Sequence, residues 1–204
     1  MSRLDEILQS PWHRNVMVVT DAAIQASHEF FRAEGCLHGA FPMTTGSISS
    51  PMGLSSDSLP VEAIIAGRRR YIADSMQFAL ELGCRVAGRP TYYVMSSARG
   101  EDPDRRHLTE FCHAEVEIAG GLEDVLSLGE RYLRHLNRFV GDNVRGVVAE
   151  MAGSTDHLDR ALADEAPFGR ISFADACALL EGAGTKGVLE PLPNGEVRIT
   201  ASGE

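Results

Sequence analysis

The 204 residues have few of the features that mark membrane, secreted or zinc-ribbon proteins. No apolar run approaches the roughly 20 residues that a membrane span requires, and the N-terminal Met-Ser-Arg-Leu-Asp-Glu lacks the apolar core of a signal peptide. The four cysteines lie far apart, without the spacing of a metal ribbon or disulfide framework; they are Cys36, Cys84, Cys112 and Cys177. We therefore expect a cytoplasmic protein with a single domain over 1–204.

Lysine is almost absent, and acidic residues outnumber basic ones. Lys186 is the only lysine among 19 basic residues, against 29 acidic ones, and the formal net charge is −10. A net negative field opposes nonspecific binding to DNA or RNA. It still permits a local nucleotide site built from arginine, because guanidinium groups suit bidentate contacts with phosphate.

Hydrophobic periodicity predicts a pair of strands among several helices. The predicted helices cover 14–33, 122–140 and 154–163. A further helix runs through residue 82 with Asp74 or Ser75 as its cap, and another runs through residue 180, opened by a capping box of Ser172 with Asp175. The predicted strands cover 91–98, 108–118, and a hairpin of 188–189 with 196–199, whose turn is Pro193-Asn194-Gly195. The stretch 44–60, rich in Ser, Thr, Gly and Pro, is expected to be a loop. This order indicates an α+β fold, with an antiparallel β-sheet flanked by helices.

The strand predicted over 108–118 has two chemically different faces, because successive side chains of a strand alternate. One face has a core-like set: Cys112, Ala114, Val116 and Ile118. The other has an aromatic and ionisable set: Thr109, Phe111, His113, Glu115 and Glu117. The second face is either a solvated outer surface or a binding floor, on which a ring stacks and carboxylates hold an amine or a cation.

Two neighbouring stretches contain further polar candidates. The arginine-rich turn over 97–107 either folds guanidinium groups over an anionic ligand or is a surface hairpin with compensating charges. Ser75, Gln77 and Glu81 lie near the start of a predicted helix. This stretch either binds a carboxylate ligand, which helix N-termini favour, or Ser75 simply caps the helix and Gln77 and Glu81 are exposed. The histidines show no metal-ligand spacing, and the chain contains no Walker loop, Rossmann fingerprint or nucleophile elbow.

Several of these stretches resemble class II aminoacyl-tRNA synthetases of the aspartyl/asparaginyl branch. Segments 99–101, 105–111 and 115–119 are similar to motif 2, and Ser75-x-Gln77-x-x-Leu80-Glu81 resembles the Ser-x-Gln-Leu-x-Leu-Glu helix of that branch. The helix ending Phe-Phe-Arg-Ala-Glu-Gly at 30–35, followed by Pro42, is similar to motif 1, the dimerisation element. Leu80 stands where aspartate-specific enzymes place a lysine, as in asparaginyl-type and archaeal asparagine-synthetase-related stand-alone proteins.

The resemblance implies an ATP site at motif 2. By position, Arg99 would grip the α-phosphate of ATP and the carboxylate of the amino acid, which makes it the catalytic candidate. Glu101 would bind the adenine amino group. His107 would lie near the phosphates, and Phe111 would stack on adenine.

The resemblance also implies an amino-acid site beside the ATP site. Glu115 falls where the branch holds the α-amine of the substrate. Ser75 and Gln77 fall where it binds the rest of the amino acid, and we include Glu81 and Glu117 in the same substrate-binding set.

The chain departs from the family pattern at three points. Gly100 is unusual within motif 2. The motif 2 loop is about one residue short. Motif 3, the glycine-rich strand and helix with a second ATP-binding arginine, is not found. An anticodon-binding domain is not found either, as in the stand-alone relatives. The segment 198–204 resembles a region that normally precedes motif 3. The resemblance thus implies the N-terminal part of an adenylating domain that uses ATP and Mg²⁺. It assigns no metal ligand among the residues of this chain.

These observations leave two hypotheses of different classes. The first is a subunit of an ATP-dependent, adenylate-forming ligase or amide synthetase for an aspartate-like amino acid. A second polypeptide with motif 3 would complete it as a heterodimer or heterotetramer, or the chain would form a homodimer through motif 1. The alternative is a non-catalytic synthetase paralogue that binds a nucleotide or amino acid or scaffolds a complete enzyme. A tRNA-charging fragment is disfavoured by the charge of −10, and no membrane contact is expected.

Overall fold

The computed structural model describes residues 3–49, 59–105, 107–163, 166–184, 186–192 and 195–200. They belong to two compact units: 1–50 with 59–166, and 51–58 with 167–204. The single domain expected over 1–204 stays a prediction. No helix in these described ranges is long and apolar enough to cross a membrane.

The described part of the first unit contains six helices. They are α1 (Arg3–Gln9), α2 (Pro11–Ala33), α3 (Gln77–Ala87), α4 (Leu122–Asn143), α5 (Arg145–Ala152) and α6 (Asp156–Ala163). Pro11 opens α2 at a position that tolerates the missing N–H. The expected end of α3 after residue 82 is wrong: Gly83 packs inside the helix against Thr91, and the helix ends at Gly88, whose φ is 65°.

The strands described in the first unit form two three-stranded sheets. They are β1 (Leu37–His38), β2 (Thr44–Thr45), β3 (Val61–Ile65), β4 (Arg68–Ile72), β5 (Thr91–Ala98) and β6 (Glu110–Glu117). The main sheet has the order β1-β5-β6, with β1 parallel and β6 antiparallel to β5. The second sheet has the order β2-β4-β3. The α+β fold with helices around antiparallel strands is confirmed, as are the bounds of β5.

The hairpin β3–β4 was not predicted, because its turn lacks the usual signal. A two-residue hairpin commonly uses Asn-Gly or Asp-Gly, whose residues tolerate positive φ. Here the turn is Ala66-Gly67, with φ of 49° and 73°. The expected loop over 44–60 therefore holds only in part, since β2 occupies Thr44–Thr45, and residues 50–58 lie outside the described ones.

Two apolar clusters cover opposite faces of the main sheet. Tyr92 and Tyr93, adjacent in β5 and both 0% exposed, point to different clusters because a strand alternates its faces. One cluster contains Phe30, Phe31, Cys36, Tyr92 and Leu128; the other contains Ala73, Met76, Leu80 and Tyr93. Ala114, Val116 and Ile118 pack on the first cluster as expected. Cys112, assigned to the same core face, is exposed, so that assignment is wrong.

The second unit contains one helix and one hairpin within its described residues. Helix α7 (Phe173–Gly182) begins after Ser172, whose Oγ accepts a hydrogen bond from Asp175 N at 3.1 Å. The predicted cap is therefore confirmed. Strands β7 (Leu189–Pro191) and β8 (Val197–Ile199) pair antiparallel, as the hairpin prediction required. Its expected turn residues Pro193 and Asn194 lie outside the described residues.

Candidate functional site

The β5–β6 ladder provides the floor of the candidate site. Its register pairs Ser97 with Phe111, Met95 with His113, Tyr93 with Glu115 and Thr91 with Glu117. Paired residues of an antiparallel ladder share a face, so Phe111, His113, Glu115 and Glu117 lie on the same side of the sheet. The sequence argument that grouped these four side chains is confirmed, and α3 contacts both strands of the ladder.

Glu115 is the centre of a dense hydrogen-bond network. Ser75 Oγ lies 2.8 Å from both of its carboxylate oxygens, and the Tyr93 hydroxyl donates to Oε2. Met76 N donates to the same oxygen at 3.3 Å, and His113 Nε2 lies 3.2 Å from Oε1. Burial, and then the hydrogen bond to Glu115, raise the pKa of Tyr93, so its hydroxyl remains a proton donor. Four donors thus fix the carboxylate.

His113 is oriented by its second ring nitrogen. Because a carboxylate only accepts hydrogen bonds, Nε2 has the proton that faces Glu115. Nδ1 then accepts from Ser97 Oγ, which lies 3.2 Å away. The sequence placed His113 on this face but assigned it no role, and it missed Tyr93 and Ser97. An alternating pattern in β5 could have identified both, since they share the face of Glu115.

The start of α3 is tied to this floor. Ser75 Oγ accepts from Gln77 N at 3.1 Å, while Met76 N donates to the Tyr93 hydroxyl at 3.1 Å. The helix begins at Gln77 and its N-cap residue is Met76, so the predicted cap at Asp74 or Ser75 is wrong. Ser75 instead uses its hydroxyl to join the helix start to Glu115.

A pocket of about 340 Å³ opens beside this network and is lined by Gln77, Leu80, Glu115, Val116 and Glu117. Burial, followed by the nearby charges of Glu81 and Glu115, raises the pKa of Glu117. Glu81 itself lies outside the lining and pairs with Arg85 at 2.6 Å. The pocket is therefore acidic and suits an ammonium group.

Arg99 and Phe111 meet at the other end of the ladder. The Arg99 guanidinium carbon lies 5.6 Å from the centre of the Phe111 ring, which is within the range of a cation–π contact. The backbone N–H of Arg99 donates to Thr109 O at 2.9 Å. Its side-chain Nε is buried and has no hydrogen-bond partner within the described ranges. A buried donor without an acceptor is costly and suits an anionic ligand.

Glu101 is held by a segment distant in sequence. Leu59 N donates to Glu101 Oε2 at 3.1 Å, and Gly100 N donates to Leu59 O at 2.8 Å. A Cβ at position 100 would lie 3.2 Å from the carbonyl oxygens of both Leu59 and Pro60. The unusual glycine therefore permits a close backbone approach that positions Glu101.

His107 is exposed and is held by its own turn. Its backbone N–H donates to Asp104 Oδ1 at 2.8 Å, and its Nδ1 lies 3.0 Å from both Asp104 oxygens. The structure thus joins Arg99 with Phe111 and Ser75 with Glu115, and gives His107 contacts near neither pair.

Comparison with known proteins supports the same assignment over nearly the whole chain. The family model described as tRNA synthetases class II (D, K and N) matches residues 4–193. The chain belongs to this family. The motif resemblance to class II synthetases is therefore confirmed at the level of this family.

The chain is similar to asparagine–tRNA ligases in sequence. It is 25% identical to the ligase of Koribacter versatilis (strain Ellin345) over 176 residues, which are 86% of this chain and 38% of that protein. It is 29% identical to the ligase of Streptococcus suis (strain 98HAH33) over 81% of this chain and 36% of that protein. The chain thus spans somewhat more than a third of these relatives.

Solved structures of asparaginyl-tRNA synthetases share the fold. The Pyrococcus horikoshii enzyme, complexed with asparaginyl-adenylate, superposes with a TM-score of 0.76 at 22% identity, over 88% of this chain and 40% of that chain. The Entamoeba histolytica enzyme, in complex with asparaginyl-adenylate, gives a TM-score of 0.74 at 20% identity, over 94% and 40%. The main sheet and its flanking helices therefore belong to the class II catalytic fold.

The described part of the chain contains no cluster of three or more His, Cys, Asp or Glu side chains suited to a metal ion. Glu115 and Glu117 are adjacent acidic positions on one face, but Glu115 already accepts from Ser75 and Tyr93.

Proposed function

We propose that the chain is a subunit of an ATP-dependent, adenylate-forming amide synthetase that acts on an aspartate-like amino acid. In this proposal a second polypeptide with motif 3 would complete the active site. The charge of −10 supports a small amine or ammonia, rather than tRNA, as the acceptor.

The observation that supports this function best is the placement of opposite charges along one ladder. Arg99 and Phe111 lie at one end, and Glu115 lies further along the same face. An amino acid bound between them would direct its carboxylate toward the guanidinium and its ammonium toward the acidic pocket. The buried Nε of Arg99, which lacks a partner within the described ranges, would donate to the α-phosphate of ATP.

The chemistry has two balanced steps. A carboxylate oxygen of the amino acid attacks the α-phosphorus of ATP, and the bond to the β-phosphate oxygen breaks, which gives an acyl-adenylate and pyrophosphate. The nitrogen of the amine then attacks the acyl carbon, AMP leaves, and the amine loses a proton to solvent. Arg99 would stabilise the negative charge that develops on the phosphate, while Phe111 would hold adenine by stacking.

We assign ATP and Mg²⁺ to the reaction but no Mg²⁺ ligand to this chain. Mg²⁺ commonly binds through substrate phosphates and one or two carboxylates. The ion supplies charge neutralisation on the phosphates when bound. Its protein ligands would come from the second polypeptide.

ATP–pyrophosphate exchange tests the proposal. The chain is assayed with aspartate and with asparagine, alone and with a polypeptide that contains motif 3. We expect pyrophosphate exchange with aspartate. Its rate should be highest when both polypeptides are present, and tRNA should not stimulate it. Absence of exchange with either acid in both combinations would contradict the adenylation step.

A non-catalytic role is the second candidate, and one observation favours it. Glu115, expected to hold the substrate amine, already meets four donors: Ser75 Oγ, Met76 N, Tyr93 OH and His113 Nε2. A carboxylate offers about four acceptor positions, so an incoming ammonium would have to displace one of them. Calorimetry that finds tight binding of ATP or aspartate, without turnover in the presence of the second polypeptide, would favour this candidate over the ligase.

A further inference from the structure

Of the four donors that hold the Glu115 carboxylate, His113 is the one least anchored in the core. Tyr93 is 0% exposed and Met76 4%, and both belong to the apolar cluster beside α3. Ser75 Oγ also accepts a hydrogen bond from the first residue of α3. Moving any of these three would open the core or the helix start, whereas the His113 side chain is 24% exposed.

The two carboxylate oxygens of Glu115 are not equally occupied. Oε2 accepts from the Tyr93 hydroxyl and from Met76 N, while His113 Nε2 lies 3.2 Å from Oε1. Ser75 Oγ lies 2.8 Å from both oxygens, but a hydroxyl has a single proton to donate. Oε1 therefore depends mainly on His113, and departure of the imidazole would open this oxygen to another donor.

The remaining contacts of the His113 ring tolerate movement. Nδ1 lies 3.2 Å from Ser97 Oγ, and the ring meets Phe111 and Tyr93 edge to face, with centres 5.5 and 6.1 Å apart. Such aromatic contacts stay favourable over centre distances of about 4.5 to 7 Å. Because the side chain is partly exposed, the Nε2 proton can also turn to water once it leaves Glu115.

We infer that His113 is a displaceable donor, which occupies Oε1 of Glu115 in the empty site and yields this oxygen to the ammonium group of the substrate. The inference rests on the proposed function, in which Glu115 holds the amine of an aspartate-like acid. It adds the residue that sets the strength of that contact. His113 acts on the substrate through Glu115, so it determines specificity without touching the reacting atoms.

A displaceable donor makes the site selective for amino acids over simple amines. Because binding exchanges one hydrogen bond to Glu115 for another, the ammonium contact gains little net free energy. A ligand must therefore also place a carboxylate near Arg99, at the other end of the same ladder. An amine without a carboxylate lacks this second contact.

Calorimetric titration of the full chain with aspartate and with succinate tests the inference, because succinate is aspartate without its amine. His113→Leu removes the competing donor and keeps a side chain of similar size. We expect this variant to bind aspartate about 10-fold more tightly than wild type and succinate as wild type does. A residue that merely supported the site would weaken binding when replaced.

Two further variants control for this change. His113→Gln keeps an amide N–H that can donate to Glu115, so its aspartate affinity should stay within about 3-fold of wild type. His157→Leu removes an exposed imidazole from α6, away from the ladder in sequence, and should leave both ligands unaffected.

The imidazole nitrogens can also be followed in the wild-type chain, which keeps the test independent of how well His113→Leu folds. In a ¹⁵N spectrum of the histidine rings, the His113 signals are assigned by their loss in His113→Gln. We expect aspartate to shift these signals and succinate to leave them in place, because only an ammonium group displaces Nε2 from Glu115.

The outcomes separate this inference from the function. Unchanged or weaker aspartate binding by a folded His113→Leu chain overturns the displaceable donor, as does an equal gain for succinate or the absence of aspartate binding to wild type. Pyrophosphate exchange with aspartate would still support the adenylation step in each case. Tighter aspartate binding by His113→Leu, without exchange in any combination of polypeptides, supports the inference and contradicts the ligase alone.

Discussion

The Arg99 guanidinium carbon lies 5.6 Å from the centre of the Phe111 ring. The two residues are twelve positions apart and meet because the β5–β6 ladder pairs Ser97 with Phe111. The contact orients the guanidinium while its Nε stays buried without a partner among the described residues. A ligand with a phosphate and an aromatic base would use both side chains at once.

Replacing Arg99 tests whether its planar donor set matters. Arg99→Lys keeps the charge but removes Nε and the bidentate fork. We expect ATP binding to weaken by about 10- to 100-fold, which corresponds to the loss of one charge-assisted hydrogen bond. Isothermal titration measures it, and Arg131→Lys, whose partner Glu34 lies outside the site, is the control. Equal affinity in wild type and Arg99→Lys would rule out the phosphate contact.

The Tyr93 hydroxyl donates a hydrogen bond to the Glu115 carboxylate. Tyr93→Phe removes a donor to the carboxylate and an acceptor for Met76 N. We expect the free energy of unfolding to fall by about 1–3 kcal/mol and aspartate binding to weaken, because Glu115 loses its orientation. Urea denaturation and calorimetry measure the two effects.

Tyr92→Phe is the matched control for that change. Tyr92 is equally buried, but it faces the opposite cluster, where its hydroxyl lies 3.0 Å from His28 Nδ1. This variant should lose some stability and keep wild-type aspartate affinity. A parallel loss of affinity in both variants would indicate a general packing effect rather than a role at Glu115.

Gly100 is expected to act as a positioning residue for Glu101. Gly100→Ala would force a Cβ to within 3.2 Å of the backbone oxygens of Leu59 and Pro60, at a cost of about 1–3 kcal/mol in unfolding free energy. The shifted segment would release Glu101, so selectivity for ATP over GTP should fall. Competition binding with the two nucleotides measures this ratio.

Gly129→Ala separates the steric effect from the general effect of adding a methyl group. Gly129 lies inside α4 with nothing within 4 Å of its Cβ direction. Alanine is the better helix former, so this variant should gain up to about 1 kcal/mol. Nucleotide selectivity that stays unchanged in Gly100→Ala would contradict the positioning role.

Glu117 predicts a dependence of stability on pH. Its pKa is raised in the folded protein by burial and by Glu81 and Glu115, so the folded state binds this proton more tightly than the unfolded chain. Ionised Glu117 therefore costs stability above its folded pKa. That cost is lost as the pH falls below the unfolded value of about 4.3.

The variant Glu117→Gln removes this cost. We expect it to be more stable than wild type at pH 7 and equal to it below about pH 4, where both states of the wild type are protonated. Urea denaturation across this pH range measures the difference, and the exposed Glu150→Gln is the control. A destabilised Glu117→Gln at pH 7 would show that the carboxylate has a favourable partner instead.

Local patterns predicted much of this fold because they depend on neighbouring residues. The strand over 91–98, the helix from residue 122 and the cap at Ser172 each follow from periodicity or from a short motif. The hairpin β3–β4 was missed because its Ala66-Gly67 turn has no strong signal. The start of α3 shifted because Ser75 bonds to Glu115, forty residues away.

The candidate site, like the fold, was predicted in part from the sequence. Alternation along one strand was enough to put Phe111, His113, Glu115 and Glu117 on a common face, and the motifs were enough to indicate the family. The nucleotide and amino-acid roles of the candidate residues stay predictions.

The amino-acid sequence by itself determined the chemistry available: which strand is amphipathic, which turn contains arginine, and which positions are acidic. Only the tertiary structure decided which of these groups meet. The register of β5 with β6 places Tyr93 opposite Glu115, and the close backbone approach at Gly100 brings Leu59 to Glu101. Such contacts join residues 22 and 42 positions apart. They depend on how the chain closes in space, which a local pattern of side chains does not encode.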